Sequence, residues 1–389
     1  MKLPSPPRWL WLGLILAAVA WLAVDSLKNR PDYAHRFSTE ILGRANPRSI
    51  EPYLNSQTYD KHFFYPPAGP LSNDEGDLAW QTGYRMAGLN EMYRATGQEK
   101  YLQLNLVWAE AVLATRDDIV GRPRWNKVVG PVWSSVAFGR YGRTAYLVHT
   151  AMITYPILEL LSLKGVSTEQ DERLLREMLA SLHAHDEQWR DGPGDREGYY
   201  VYSREQDEEL AGQPLPINRN NAMARSLWLA WKLTDDPWCK DRSLALARFF
   251  KNRLQVSETG AYTWSYDIPV QDDGKSRPPE DSSHGALTAS LAPLLEAEGE
   301  VFTKADLERF AATVVNGVTL GPDGVISGDV AGSEKADPRW VDFPARWLEF
   351  SPHHPAIYPR IANYYSRYFV NRVPDTSSLA LALFIRYHP

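Results

Sequence analysis

The chain has 389 residues, a net charge of −6 and a single cysteine, Cys239. No intrachain disulfide can form, which excludes a disulfide-stapled scaffold, and the acidic balance supplies no global basic field for nucleic acid. Aromatic residues make up 12 %, with 14 Trp and 20 Tyr, enough for either a large core or a stacking surface for sugars.

At the amino end, Lys2 and Arg8 precede an uncharged run from Trp9 to Val24. A basic start followed by an apolar centre reads as a signal segment. Ala18-Val19-Ala20 has the small-x-small form of a cleavage site, while the run itself approaches the roughly 17 residues that span a bilayer as a helix. Residues 1–30 are therefore expected to be a signal peptide or signal anchor, with membrane contact through residues 9–24. Residues 31–389 are expected to form one domain outside the cytoplasm, anchored in the inner membrane facing the periplasm, or secreted.

Beyond a Pro-rich entry, helical patterns come in pairs. Asn73 or Asp74 can cap a helix to about Ala95, and Thr96-Gly97 stops it before a second helix from Gln98. Further pairs are predicted at 143–163 with 167–189, 220–234 with 238–254, 282–298 with 303–315, and 355–369 with 376–387. Connections within pairs are short, which makes the two helices antiparallel neighbours. Those between pairs are long and rich in Gly, Pro and aromatics, and gather at one end of a ring. One of them, Leu320 to Asp329, reads as a small β-hairpin. A sixth pair would have to draw on residues 36–65 or 338–350.

The joints Glu91-Met92-Tyr93-Arg94-Ala95-Thr96-Gly97-Gln98-Glu99-Lys100-Tyr101-Leu102 and Trp231-Lys232-Leu233-Thr234-Asp235-Asp236-Pro237-Trp238 resemble those of α/α-toroid carbohydrate enzymes. That group includes six-hairpin glycosidases, alginate-lyase-like enzymes and glucuronyl C5-epimerase-like proteins. The resemblance implies an all-α fold, an α/α toroid that is a complete or incomplete six-hairpin barrel, acting on a polysaccharide or oligosaccharide without a cofactor.

Candidate site residues cluster in the long connections. Glu280, Asp281 and His284 fall within one turn of a predicted helix start. Two carboxylates and an imidazole suit proton transfer to and from a sugar, although Asp281 also suits a simple helix cap. Glu280-Asp281-x-x-His284-Gly285 is similar to stretches in epimerase-like toroids. Just upstream, Trp264 and Tyr266 belong to an alternating aromatic segment that is either a strand or a stacking platform. Asn218, Asn221 and Arg225 precede or open an apolar helix, where they can form an elaborate cap or recognise sugar hydroxyls and a carboxylate. The paired asparagines resemble the Asn-Asn-His element of alginate-lyase-like toroids, with Ala222 in place of the His. Tyr199 and Tyr200 are candidate acid or base residues, since uronate lyases and epimerases use Tyr so. Trp340, Asp342 and Arg346 suit stacking and anion recognition. Asp74-Glu75-Gly76-Asp77 and Gly139 to Arg143 are lesser candidates at the same rim. His353-His354 lacks partners at metal-site spacing, so no metal is expected.

Hydrolysis would pair Glu280 or Asp281 with Asp74, Glu75 or Asp342 across the cleft. Epimerisation or β-elimination would use His284 and a Tyr as base and acid, with Arg or Asn neutralising a uronate. The alternative is a non-catalytic periplasmic glycan-binding or scaffold protein of an export or assembly system. Convergence of Glu280, His284, Tyr199 or Tyr200, Asn221 and Trp340 on one cleft would separate enzyme from scaffold.

Overall fold

The computed structural model describes residues 49–270, 274–322, 325–333, 343–368 and 377–389. The expected signal segment lies outside these residues, as do Trp340 and Asp342. Among the described residues no helix is long and apolar enough to cross a membrane.

The principal helices are α1 (Ser56–Phe63), α2 (Gly83–Thr96), α3 (Lys100–Leu113), α4 (Leu147–Lys164), α5 (Glu169–His183) and α6 (Ile217–Thr234). They continue with α7 (Pro237–Lys251), α8 (Ser282–Ala289, prolonged by Leu291–Glu296), α9 (Lys304–Thr313), α10 (Ile357–Tyr368) and α11 (Ser378–Tyr387), with a 3₁₀ helix at Pro344–His353. Burial sorts them into two layers. α4 buries residues on every side, including His149, Thr150 and Glu159, so it needs neighbours all round. α5 buries one stripe, Asp171, Leu174, Leu175, Met178 and Leu182, the spacing of a helix with one solvent face.

The inner layer is α2, α4, α6, α8, the 3₁₀ helix and α11. Each packs against the next and α11 returns to α2, so the ring is closed. An outer helix follows each of the first five inner helices and reverses the chain, which makes the inner helices run in one direction. Thr168 and Thr303 open the outer helices α5 and α9 with reciprocal capping boxes, each of which satisfies otherwise orphaned backbone donors.

Both stretches considered for the sixth hairpin are used. Pro344–His353 is the inner partner of α10, and α1 is the outer partner of α11, with the Tyr59 hydroxyl 2.8 Å from Ser378 Oγ. The expected pair 355–369 and 376–387 is therefore an outer helix followed by the next inner one. A 3₁₀ helix holding Pro344 and Pro352 lacks the 3.6-residue pattern by which the others were recognised. Ring closure also depends on Gly88. A Cβ there would lie 2.3 Å from Ser378 Oγ and 2.9 Å from the Leu379 nitrogen, a clash that any other residue would bring.

The expected cap at Asn73 or Asp74 is corrected. The chain enters α2 through a π-helical turn, Leu78–Thr82, so the helical segment opens later than expected; Asn73 Oδ1 still accepts from the Ala79 amide in that turn, at 3.4 Å, and its Nδ2 is engaged elsewhere (below). Among the described residues there are three antiparallel hairpins: β1–β2 (Trp189–Asp191 with Gly198–Tyr200), β3–β4 (Gln255–Val256 with Tyr262–Thr263) and β5–β6 (Thr319–Leu320 with Val325–Ile326). The last is the hairpin expected within 320–329. All three lie in outer-to-inner connections, so they gather where the inner helices begin.

Candidate active site

A cleft of about 780 Å³ opens at that end. Its wall takes residues from the start of every inner helix: Tyr84 and Arg85 from α2, Val148 and His149 from α4, Asn218 and Arg219 from α6, Ser283 and His284 from α8, Arg346 from the 3₁₀ helix, and Ser378 and Leu379 from α11. Helix amino termini carry partial positive charge and free N–H groups. α4 and α6 start without a side-chain cap, which leaves those groups to the cleft.

Three arginines add to this field. Arg85 and Arg219 pair with no carboxylate among the described residues. Arg85 lies over the Tyr65 ring at 4.3 Å, and its buried Nη1 has no hydrogen-bond partner. Arg219 approaches Tyr202 at 5.6 Å. Next to it, Asn218 is almost fully buried and its Oδ1 is unpartnered. An unmet buried amide and unpaired guanidinium groups are costly to keep, and a bound carboxylate and hydroxyl would satisfy them. Arg346 forms the floor, donating to the Tyr84 hydroxyl at 2.8 Å and to Ser283 Oγ at 3.1 Å.

His284 stands on the wall with Asp281 behind it. Asp281 Oδ1 caps α8 by accepting from the Ser283 and His284 amides, and its Oδ2 accepts from His284 Nδ1 at 2.5 Å. Burial acts to raise the Asp281 carboxyl, but the His284 ring and those two amides outweigh it and hold it below its usual range. An ionised Asp281 fixes the ring and its tautomer, and leaves the Nε2 lone pair for a substrate proton. The Tyr266 ring lies 5.2 Å from His284, and burial raises its hydroxyl above the usual tyrosine range despite nearby Arg219. α2 and α8 occupy opposite positions in the ring, so Tyr84 and His284 enter from opposite walls.

His149 is a different kind of histidine. Burial, with Arg219 adding to it, lowers its pKa to about 3. The Asn73 amide donates to Trp133 O at 2.7 Å and to His149 Nδ1 at 3.2 Å, so the neutral ring carries its proton on Nε2. Trp80, Phe138 and Tyr146 pack around it at 5.8, 5.5 and 5.1 Å. The result is an aromatic side wall with one fixed donor.

Of the residues singled out from sequence, the structure brings His284, Asn218, Tyr266 and Arg346 to the cleft, with Asp281 behind His284. It does not bring the following described ones. Glu280 is fully buried on the reverse of the wall, bonded to Trp264 Nε1 at 2.5 Å, and burial raises its pKa to about 8. Trp264 is core, packed on Phe250 and Phe310. Asn221 donates to Thr288 O at 2.9 Å and ties α6 to α8. Arg225 lies two turns deeper, 3.8 Å over the Tyr155 ring. Tyr199 stacks on Phe249, and Tyr200 is buried beside Trp189 and Arg242. Asp74 pairs with Arg143 at 2.7 Å outside the cleft. Sequence reasoning missed Tyr84, Arg85, His149 and Arg219. Their one local signal is a polar side chain in the first turn of a helix.

The sequence matches no known family and no curated protein. Solved structures do match. The α-1,6-mannanase GH76A of Salegentibacter sp. HEL1_6 superposes with a TM-score of 0.55 at 15 % identity, over 87 % of this chain and 98 % of that one. An inactive variant of the same enzyme in complex with α-1,6-mannotetrose gives 0.53 at 14 %, again over 87 % and 98 %. Its complex with α-1,6-mannotriose gives 0.51 at 14 %, over 86 % and 98 %. Both the closed ring of inner helices and these superpositions make the chain an α/α toroid of the six-hairpin glycosidase-like architecture.

Proposed function

We propose that the protein is a carbohydrate-active enzyme that acts on an acidic glycan by proton transfer at a uronate residue, as a lyase or an epimerase. The observation that carries this reading is the charge of the cleft. Arg85, Arg219 and Arg346 line it, and no Asp or Glu does so among the described residues. Glycoside hydrolysis needs two facing carboxylates. Abstraction of the proton next to a uronate carboxylate needs a cationic or amide clamp on that carboxylate and a base beside it.

Arg219 would hold the uronate carboxylate and spread the charge that develops on it, and Asn218 Oδ1 would accept from a sugar hydroxyl. His284, oriented by Asp281, would take the C5 proton. In elimination the C5–H electron pair forms the C4=C5 bond, the C4–O bond breaks, and the Tyr84 hydroxyl gives its proton to the leaving oxygen. The Arg346 hydrogen bond would stabilise the phenolate left behind. In epimerisation no bond to oxygen breaks, and the proton returns to C5 from the opposite side. Entry of Tyr84 and His284 from facing walls suits either course.

That a solved toroid of this architecture is an α-1,6-mannanase, whose inactive variant holds α-1,6-mannotetrose, supports a glycan as substrate. Of the five markers set for an enzyme, Trp340 lies outside the described residues, and of the other four only His284 reaches the cleft. The convergence behind a catalytic reading is that of Tyr84, Arg85, His149, Arg219 and Tyr266 around it. The reading also puts the domain outside the cytoplasm, exported or anchored through residues 9–24, on the strength of that apolar run alone. Incubation with uronate polymers in heavy water tests the chemistry. Shortened chains with an unsaturated end, or chains of unchanged length that gain one mass unit for each deuterium taken up at C5, are expected. Shortened chains that gain one water and no unsaturation would make it a hydrolase.

A further inference from the structure

Most of the large apolar side chains exposed among the described residues fall between residues 119 and 141, in the connection from α3 to α4. This connection is fastened where it stands. Arg124 pairs with Glu205 at 2.6 Å, Arg140 with Glu209 at 2.8 Å and Arg143 with Asp74 at 2.7 Å. A bridge between Ser135 and Thr144 closes its tip. Within it Phe138, 55 % exposed, edges the cleft over His149 and Tyr146. Trp125 and Tyr141, each 40 % exposed, form a tilted pair with centroids 5.4 Å apart. Trp125 Nε1 donates to Glu205 O at 3.3 Å, which fixes the ring without covering it. Rings held rigidly in water lose little freedom on binding, and their faces match the apolar faces of pyranoses.

We propose that Trp125 and Tyr141 form a distal subsite that stacks pyranose units of a glycan chain running out of the cleft over Phe138. This rests on the reading of the cleft as a glycan site and makes the substrate a polymer longer than the cleft. Phe138 lines the cleft and stands three residues before Tyr141 on the same connection, which favours a glycan chain over a lipid surface that the neighbouring aliphatic side chains would otherwise fit.

The test uses the full chain and its Trp125→Ala/Tyr141→Ala variant, with polymannuronate, polyglucuronate and polygalacturonate, each as polymer and as tetrasaccharide. Binding is read by affinity electrophoresis and tryptophan fluorescence. The variant should keep its melting temperature, bind a polymer about tenfold more weakly and bind the tetrasaccharide as before. Tyr141→Phe, which keeps the ring, should bind like the parent. Equal loss for polymer and tetrasaccharide, no loss at all, or no retention of the parent by any polymer would overturn the subsite. So would binding to phosphatidylglycerol vesicles that the double variant abolishes. Retention without any product would count against the proton-transfer reading and leave the subsite standing, whereas unaltered retention of the variant alongside product would do the reverse.

Discussion

Where the inner helices start, Arg85 and Arg219 have no carboxylate partner among the described residues; where they end, Arg94 and Arg386 are ion-paired and Arg225 packs on the Tyr155 ring. There a second cavity of about 400 Å³ is lined by Glu91, Arg94, Glu159 and Arg386. Arg94 bonds to Glu91 at 2.6 Å and to Glu159 at 2.7 Å, and Arg386 pairs with Glu91. Asn90 adds a bond to Glu159 at 2.8 Å. Burial would raise the Glu159 carboxyl, but Arg94 and Asn90 hold it below its usual range. The two cavities share Tyr84, Leu287, Arg346 and Leu379, so Arg346 and Tyr84 form the partition. In such a barrel a buried charge alone says little. Paired, it ties helices together; unpaired at the mouth, it waits for a ligand.

Breaking the mouth should cost activity and breaking the far end should cost stability. His284→Ala is expected to lower kcat by about 10²–10⁴-fold with the melting temperature unchanged within a few degrees. A collapse of both would make His284 a packing residue only. At the far end, Arg94→Leu leaves the buried Glu159 carboxylate without an ion-pair partner, while Glu91 keeps Arg386, and should cost about 3–5 kcal/mol of stability, read from denaturant midpoints, with the folded fraction keeping its kcat. An unaltered midpoint would dissolve the contrast. Arg219→Leu should raise KM for a uronate polymer about tenfold or more while moving the midpoint little. A loss in stability as large as that of Arg94→Leu would mean that the mouth is also structural.

Glu280 sharpens the comparison by pH. Its folded pKa of about 8 exceeds the ordinary value of 4.5, so between those values the folded state holds a proton that the unfolded state releases. Stability from this group is full below pH 4.5 and is lost as pH rises towards 8, by up to about 1.4 kcal/mol per unit. The melting temperature of Glu280→Gln relative to the parent should therefore climb from pH 5 to 8. Parallel curves would mean that Glu280 is not a buried, protonated group. His149 works in the other direction. Its pKa of about 3, against 6.5, removes stability as pH falls below 6.5.

Much of the fold could be read in advance because its signals are local. Thr168 and Thr303 mark helix starts, and Gly97 and Gly165 mark stops. The 3₁₀ helix escaped because its prolines erase the periodicity. The site was half legible. Asp281 and His284 announce themselves three residues apart at a helix start. Glu280 and Asp281 were weighed together, yet Pro279 and Asp281 both sit in β-bridges. Extended backbone sends consecutive side chains to opposite faces, so Glu280 enters the core and Asp281 faces out. Tyr199 and Tyr200 lie on a hairpin that packs against α7, and nothing local to them reports it. His149 and Arg85 become site residues only when six helix starts meet, a fact of tertiary structure alone.

The split hairpin bears on how the molecule is made. Tyr59 meets Ser378 and Glu91 meets Arg386 across 319 and 295 positions of sequence, so the ring can close only after α11 has been made. Until it arrives, the flank of α2 around Gly88 has no neighbour, and the apolar groove there is open to other chains. Long-range closure of this kind is slow and prone to aggregation. Nascent chains that stall before Ser378 should accordingly be the ones that chaperones hold longest.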